Sequence, residues 1–297
     1  ANQDKKLNIL VATSGDTGSA VASGFHNIEG INVFILYPAN MVSKLQEKQL
    51  TTYGDNITAL EINGTFDDCQ TLVKKAFVDN DLKNELNITS ANSINIARLL
   101  PQSIYYFYAF GKLKEKSLPL YFTVPSGNLG NLTAGLFAKN MGLPVTKFIS
   151  ALNRNKVFHD YLSSGIFRPT KANPTISNAM DVSKPNNWPR VEYMLTSGIV
   201  DKGCVSSMSI DEEQTQMSVR KICKLGYISE PHAAVAYKAL KYSLTDDEFG
   251  LFLGTAHPAK FKDVVESILG QPIGLPKELA DCASETILSV DMAADFS

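Results

Sequence analysis

The residues best suited to chemistry form the loop 126–131, Ser-Gly-Asn-Leu-Gly-Asn, which follows the short apolar run 121–125. Its two glycines carry no Cβ, so the backbone can approach a ligand closely, and its hydroxyl and amide side chains add donors. N–H groups at a helix start suit a phosphate. Because the pattern is neither G-x-x-x-x-G-K-[ST] nor G-x-G-x-x-G, neither a nucleoside triphosphate nor a dinucleotide is the expected ligand, and a compact phosphorylated cofactor is left as one possibility. An ordinary strand-to-helix turn with asparagine caps is the alternative.

A second loop of this kind stands near the start of the chain. Residues 7–12, LNILVA, predict a strand, and residues 13–18, TSGDTG, lead from it into a helix of small residues. Hydroxyls and backbone amides at a helix start suit a carboxylate or a phosphate. The plainer alternative is that Asp16 or Thr17 simply caps the helix.

A third polar group precedes a long apolar helix that extends to about residue 110. Arg98 stands at the start of this helix with Asn92, Ser93 and Asn95 close in sequence, and such a group could hold a phosphate bidentately. An ion pair at the surface or between helices is the commoner role of an arginine. The aromatic run 105–108 in the same helix is expected to be core rather than cofactor pocket.

Strands and helices alternate along most of the chain, which predicts a parallel sheet in an α/β fold. Three polar loops that each leave a strand and enter a helix are expected at the carboxyl edge of such a sheet. Residues 153–208 are less regular and contain several prolines, so we expect an insertion of loops and short helices there.

The composition favours a small-molecule partner. The 297 residues are 44% hydrophobic with a formal net charge of −2 and no basic block, which gives no sign of nucleic-acid or membrane binding. The four cysteines form no C-x-x-C pair and no apolar run approaches a membrane span of ~20 residues, so we expect a cytoplasmic protein. His232 and His257 lack H-x-x-x-H spacing, so no metal site is predicted.

Six segments, in this order along nearly the whole chain, resemble threonine synthase of the longer, bacterial and fungal type, a family of tryptophan-synthase-β-like (fold type II) pyridoxal-phosphate enzymes. They are residues 13–18 (TSGDTG), 91–98 (ANSINIAR), 124–131 (VPSGNLGN), 178–190 (NAMDVSKPNNWPR), 229–234 (SEPHAA) and 254–261 (GTAHPAKF). The resemblance implies two open, mostly parallel twisted sheets flanked by helices. It also implies a smaller α/β domain over residues 1–95 and a larger cofactor-binding domain over residues 96–297.

The resemblance further implies a carbon–oxygen lyase that converts O-phospho-L-homoserine and water to L-threonine and phosphate. The phosphate of pyridoxal 5′-phosphate would lie in a cup formed by Gly127, Asn128, Leu129, Gly130 and Asn131, and Thr255 would hydrogen-bond the pyridine nitrogen. The substrate carboxylate would be bound by Ser14, Gly15, Asp16 and Thr17. The substrate phosphate would be bound by Asn92, Ser93 and Arg98.

One feature of the family does not match. Its members carry the Schiff-base lysine in an F-K-D segment before the first of these strands, whereas this sequence has Asp4-Lys5-Lys6-Leu7 there. We therefore expect the C-terminal portion of a longer enzyme, without the catalytic lysine and inactive alone. The alternative is a non-catalytic module that binds pyridoxal phosphate or a phospho-amino acid, and a sugar-phosphate-binding domain is a third possibility. The coding sequence upstream of Ala1 would distinguish the first two.

Overall fold

The computed structural model describes residues 6–93, 95–114 and 117–296. The chain forms two compact units, of which the first comprises residues 1–95 and 274–297 and the second comprises residues 96–273. Of the two lysines at the entry of the first strand, Lys6 is exposed and Lys5 lies outside the described residues.

The first unit is built on a five-stranded sheet in which every described strand pair is parallel. Its strands, given in the order β4-β1-β2-β3-β9 across the sheet, are β4 (Asn87–Ser90), β1 (Leu7–Ala12), β2 (Ile31–Pro38), β3 (Ile57–Asn63) and β9 (Val290–Ala293). Its helices are α1 (Asp16–Phe25), α2 (Lys44–Thr51), α3 (Phe66–Val78), α4 (Asn80–Glu85) and α12 (Lys277–Ser284).

The central strands of this sheet are apolar on both faces because helices cover both. Val33 and Ile35 pack in a cluster with Leu50 of α2, whereas Leu36 of the same strand packs in another cluster with Leu72 of α3. A strand buried on both faces reads as a continuous apolar run, which is why INVFILYP shows no alternation.

The last residues of the chain belong to the first unit. Strand β9 pairs in parallel with β3, and α12 packs on α2. The resemblance implies a single larger domain over residues 96–297. The pairing of β9 instead puts residues 274–297 with the first unit, and the larger unit ends at residue 273.

The second unit is built on a four-stranded parallel sheet. Across the sheet the strands are β7 (Val205–Ser209), β6 (Lys147–Leu152), β5 (Leu120–Pro125) and β8 (Phe249–Phe252). The α-helices of the unit are α5 (Ile96–Lys112), α6 (Gly130–Asn140), α7 (Val157–Ser164), α8 (Trp188–Thr196), α9 (Glu212–Lys224), α10 (Pro231–Ser243) and α11 (Lys262–Leu269). Short 3-10 turns lie at Asn178–Met180, Lys202–Cys204 and Pro258–Phe261.

Both faces of this sheet are covered as well. On one face, Phe122 and Phe148 pack with Tyr106 of α5 and with α6. On the other face, Ile149 packs against the alanine-rich side of α10, where small residues let the helix lie close to the strands. The two open parallel α/β sheets predicted from the resemblance are confirmed.

Candidate functional site

The loop 126–131 leaves β5 at its carboxyl end and enters α6. Its first residue is fixed by two hydrogen bonds: the Ser126 backbone N–H donates to the Ala151 carbonyl at 2.8 Å, and the Ser126 hydroxyl donates to the Val124 carbonyl at 2.9 Å. The hydroxyl hydrogen of Ser126 is therefore used inside the protein, to fix the turn.

Leu129 sets the direction of the chain into α6. It precedes the helix in the left-handed conformation, with φ 58°, and its side chain is 2% exposed within the core of the second unit. Its carbonyl accepts the Thr133 N–H at 2.9 Å and the Thr133 hydroxyl at 2.6 Å. A core anchor and two hydrogen bonds thus hold the amino end of α6 at the carboxyl edge of the sheet.

The amino end of α6 is chemically suited to a phosphate. The helix has no side-chain cap and no acidic residue in its first turn. The first N–H groups of a helix lack intrahelical acceptors, and with the positive end of the helix dipole they bind anions. These N–H groups, together with the side-chain amides of Asn128 and Asn131, form a donor set that fits the phosphate of a cofactor.

A segment distant in sequence packs against this loop; we call residues 178–187 the covering segment. A Cβ built on Gly127 would lie 2.8 Å from the Ala179 carbonyl oxygen and 3.0 Å from the Met180 Cα. At the other end of the segment, the Asn186 N–H donates to Asn128 Oδ1 and the Asn187 N–H to the Asn128 carbonyl, each at 3.2 Å. The loop-rich insertion predicted at 153–208 therefore includes structural support for the cup.

Two tyrosines of α5 determine how Asn131 is oriented. The Tyr105 hydroxyl donates to Asn131 Oδ1 at 2.7 Å and the Tyr106 hydroxyl donates to the same atom at 2.6 Å. Burial raises the pKa of both phenols, so they remain protonated donors. With Oδ1 occupied, the Nδ2 group of Asn131 is the part available to a phosphate. The expectation that the run 105–108 is core holds for Tyr106 alone, because Tyr105, Phe107 and Tyr108 are exposed. No local pattern indicates that Tyr105 and Tyr106 contact the loop.

Thr255 lies at the same edge of the sheet as the cup. It follows β8, which pairs with β5, and the Leu253 N–H continues that pairing by donating to the Thr123 carbonyl at 3.0 Å. Its side chain is exposed. The carboxyl ends of adjacent parallel strands therefore bring Thr255 and the cup to one edge, although contact of Thr255 with a pyridine nitrogen stays a prediction.

In the first unit, Thr13 organises the TSGDTG loop. Its hydroxyl oxygen accepts the Gly15 N–H at 3.0 Å and the Gly18 N–H at 2.9 Å, and Gly15 has φ 140°. Gly15 is the N-cap of α1 and makes no side-chain cap bond. The alternative that Asp16 or Thr17 caps this helix is therefore wrong, because the Thr13 hydroxyl accepts the N–H of Gly18 in the first turn of α1. The loop still lies at the positive end of a helix dipole, an arrangement that suits a carboxylate.

Gln46 is a partner of this loop that the sequence pattern does not reveal. It is 3% exposed, and its Nε2 group donates to Asp16 Oδ1 at 3.1 Å. The only signal in the sequence is Ser43 three residues earlier, the N-cap of α2, whose hydroxyl accepts the Gln46 N–H at 3.3 Å. That pattern marks a helix start but does not say where the glutamine amide points.

The residues that are predicted to bind the substrate phosphate lie in different units. Asn92 is bonded to β1, because its Oδ1 accepts the Ala12 N–H at 3.0 Å and its Nδ2 donates to the Ala12 carbonyl at 2.5 Å. One Nδ2 hydrogen of Asn92 is left for a ligand. Ser93 also lies in the first unit and is half-buried, whereas Arg98 is in the first turn of α5 in the second unit. Their common role stays a prediction.

Metal ligands and membrane-spanning helices can be assessed for residues 6–93, 95–114 and 117–296. Within them, no group of three or more His, Cys, Asp or Glu side chains is placed to hold a metal ion. Over the same ranges, no helix combines the length and the apolar character needed to cross a membrane. The four cysteines are free thiols, and burial raises the pKa of Cys69 to about 12.

Comparison with known proteins identifies the class. Residues 1–249 match the family described as pyridoxal-phosphate dependent enzyme, and residues 233–296 match the family described as threonine synthase, C-terminal. The fold is also that of maize serine racemase, with a TM-score of 0.63 at 14% identity. The fold and the family match together define a pyridoxal-phosphate-dependent enzyme of fold type II.

Closer relatives narrow this class to one family. The sequence is 52% identical to the threonine synthase of Escherichia coli over 99% of this chain and 69% of that protein. The crystal structure of the Escherichia coli threonine synthase superposes with a TM-score of 0.94, covering 98% of this chain and 68% of the other. The pyridoxal-phosphate-bound threonine synthase from Brucella melitensis superposes at 0.88 with 32% identity, again over 98% of this chain and 68% of that one. The chain belongs to the threonine synthase family.

Proposed function

We propose that this chain carries the cofactor-binding and substrate-binding parts of an enzyme that converts O-phospho-L-homoserine and water to L-threonine and phosphate. The observation that carries the proposal is the 52% identity to a threonine synthase over 99% of the chain. The cytoplasm, favoured by scattered cysteines without C-x-x-C pairs, is the expected location.

Pyridoxal phosphate, when bound, supplies an electron sink, and the protein supplies position and proton transfer. The cup binds the cofactor phosphate through the uncapped N–H groups of α6 and the Nδ2 group of Asn131. The Thr255 hydroxyl would donate a hydrogen bond to the pyridine nitrogen. A neutral hydroxyl there leaves the ring nitrogen largely unprotonated, because it supplies no negative charge to stabilise an added proton.

The substrate is bound through its two anionic groups. The N–H groups at the start of α1, with the hydroxyls of Ser14 and Thr17, bind the carboxylate. Ser93, the remaining Nδ2 hydrogen of Asn92 and the guanidinium of Arg98 bind the phosphate that leaves during the reaction. A cation is best placed at the phosphate that departs, because negative charge develops there in the transition state.

The reaction itself is the direct test. The protein extended to the length of its relatives, supplied with pyridoxal phosphate and O-phospho-L-homoserine, is expected to form L-threonine and phosphate in equal amounts. The 297 residues alone are expected to form neither, because they hold no F-K-D segment ahead of β1, where the family carries its Schiff-base lysine. Amino-acid analysis and a phosphate assay measure both products, and phosphate release without threonine would contradict the proposal.

The Asn128→Asp variant tests the cup separately from the reaction. The introduced carboxylate can still accept the Asn186 N–H that the amide oxygen accepts in the parent, so the loop should keep its shape. The variant sets a negative charge beside the bound phosphate, and we expect the affinity for pyridoxal phosphate to fall by about tenfold.

Calorimetry measures this affinity. Asn140→Asp, which adds the same charge at the far end of α6, is the control and should bind as the parent chain does. Unchanged affinity in Asn128→Asp would mean that the phosphate does not bind at this loop.

A further inference from the structure

Two buried titratable residues at the start of α10 have no part in the proposed function. Glu230 is fully buried and His232 is 3% exposed. Glu230 is the N-cap of α10: its Oε1 accepts the Ala233 N–H at 2.7 Å, and its Oε2 accepts the His232 N–H at 2.6 Å. The same Oε2 lies 2.5 Å from Nδ1 of the His232 ring. The carboxylate thus fixes both the helix start and one edge of the imidazole.

The contacts of the His232 ring determine which nitrogen carries the hydrogen. Nε2 lies 3.1 Å from the backbone nitrogen of Ala179. A backbone N–H can only donate, so Nε2 must accept and carries no hydrogen. Nδ1 faces the Glu230 carboxylate, which accepts, so the ring hydrogen lies on Nδ1. The geometry requires one tautomer of a neutral ring, oriented by a carboxylate as in the pairs that position histidines elsewhere.

Ala179 belongs to the covering segment, and its carbonyl lies against the cup. The His232 imidazole accepts the Ala179 N–H. The carbonyl oxygen of Ala179 lies 2.8 Å from the position that a Cβ on Gly127 would take. The turn is held at a second point by Asp181, whose carboxylate accepts the Thr175 N–H at 2.8 Å and the Thr175 hydroxyl at 2.7 Å. The hydrogen bond that His232 accepts from Ala179 therefore holds a residue whose own carbonyl lies against the backbone of the cup.

We propose that His232, oriented by Glu230, is a positioning residue for the cofactor phosphate. It holds the turn Asn178–Met180 against Gly127, and so keeps the loop that presents the N–H groups of α6 in the geometry that binds an anion. This inference rests on the proposed assignment of the cup as the phosphate site. Loss of the acceptor at Nε2 removes the partly buried hydrogen bond that ties the Ala179 N–H to α10, and the turn is then no longer held against Gly127.

Two variants at this position separate the hydrogen bond from the volume of the ring. Phenylalanine keeps a ring of similar size but has no acceptor, whereas the Oε1 atom of glutamine can take the place of Nε2. We expect His232→Phe to weaken the binding of pyridoxal phosphate, and of inorganic phosphate as a second probe, by about tenfold. His232→Gln should restore the affinity to within about threefold of the parent.

The matched control is His159→Phe, because His159 is half-buried and its Nδ1 pairs with the Ser207 hydroxyl at 2.9 Å on β7. This variant should bind both probes as the parent does. Parent-like binding by a folded His232→Phe variant, or failure of glutamine to restore binding, would overturn the inference. If Asn128→Asp also has no effect, the cup assignment itself is wrong; if only the His232 variants bind normally, this inference alone fails.

A measurement on the unaltered chain covers the case in which His232→Phe does not fold. Nitrogen-15 NMR of the His232 ring should show a protonated Nδ1 and an unprotonated Nε2 near neutral pH. A ring with hydrogen on Nε2 cannot accept from Ala179 and would overturn the inference without any substitution.

Discussion

Replacement of Arg98 by leucine in the complete protein is expected to lower kcat/KM for O-phospho-L-homoserine by about two orders of magnitude. Arg98 lies in the first turn of α5 and is half-buried, and burial lowers the pKa of its guanidinium from the ordinary value. A partly desolvated cation that remains charged interacts more strongly with a phosphate than an exposed one does. Its loss should act on the substrate phosphate and leave the cofactor spectrum nearly unchanged.

Steady-state kinetics and the absorbance of the bound cofactor measure the two effects together. Arg168→Leu removes an exposed arginine of the same unit and serves as the control, with kinetics close to those of the parent. Arg98→Lys keeps the positive charge but loses the planar guanidinium group, and its kcat/KM should lie between those of the parent and the leucine variant. A leucine variant that lost its cofactor but kept its affinity for substrate would show that the two phosphate sites are exchanged.

The Gly127→Ala variant is expected to lose cofactor affinity by one to about two orders of magnitude and to unfold at a temperature lower by a few degrees. The added methyl would lie 2.8 Å from the Ala179 carbonyl and 3.0 Å from the Met180 Cα, and both atoms are backbone that cannot turn aside. Overpacking of this kind costs about 1–3 kcal/mol. To relieve this clash, the covering segment is expected to move away from the cup.

Gly111→Ala is the matched control, because a Cβ at this position of α5 meets nothing within 4 Å. An alanine there should be neutral or slightly stabilising, since it favours the helix. Calorimetry with pyridoxal phosphate and a thermal melt measure both quantities. If Gly127→Ala bound the cofactor as tightly as the parent, the close approach of Ala179 would have no role in the cup.

Local pattern predicts the parts of the fold that are buried on both faces. Strand β1, for example, spans Leu7–Ala12, the range that its apolar run predicts. The strands β4, β7 and β9 are not predicted, for a common reason. Sequences such as NITS, VSSMS and VDMA are short, partly polar edge strands, and only pairing with β1, β6 or β3 makes them strands.

In the candidate site, too, local sequence predicts the loops but not the contacts that residues distant in sequence make with them. The glycine- and asparagine-rich loops can be predicted from the local sequence, because a strand, a turn and a helix start follow one another there. The residues that contact these loops cannot be predicted in this way. Asn186 and Asn128 are 58 residues apart in the sequence, and His232 and Ala179 are 53 residues apart. Nothing in the local pattern of SEPHAA indicates where the histidine ring points, and the resemblance marks the segment without assigning it a contact.

Leu129 illustrates how narrow the choice of residue can be at one position. Its backbone is left-handed, which glycine tolerates best, while its side chain is 2% exposed in a packed core, which glycine cannot fill. Branching at Cβ would add strain to the backbone, and a polar side chain would be buried without a partner. Over evolutionary time the position should therefore vary only among apolar residues that are not branched at Cβ, such as leucine and methionine.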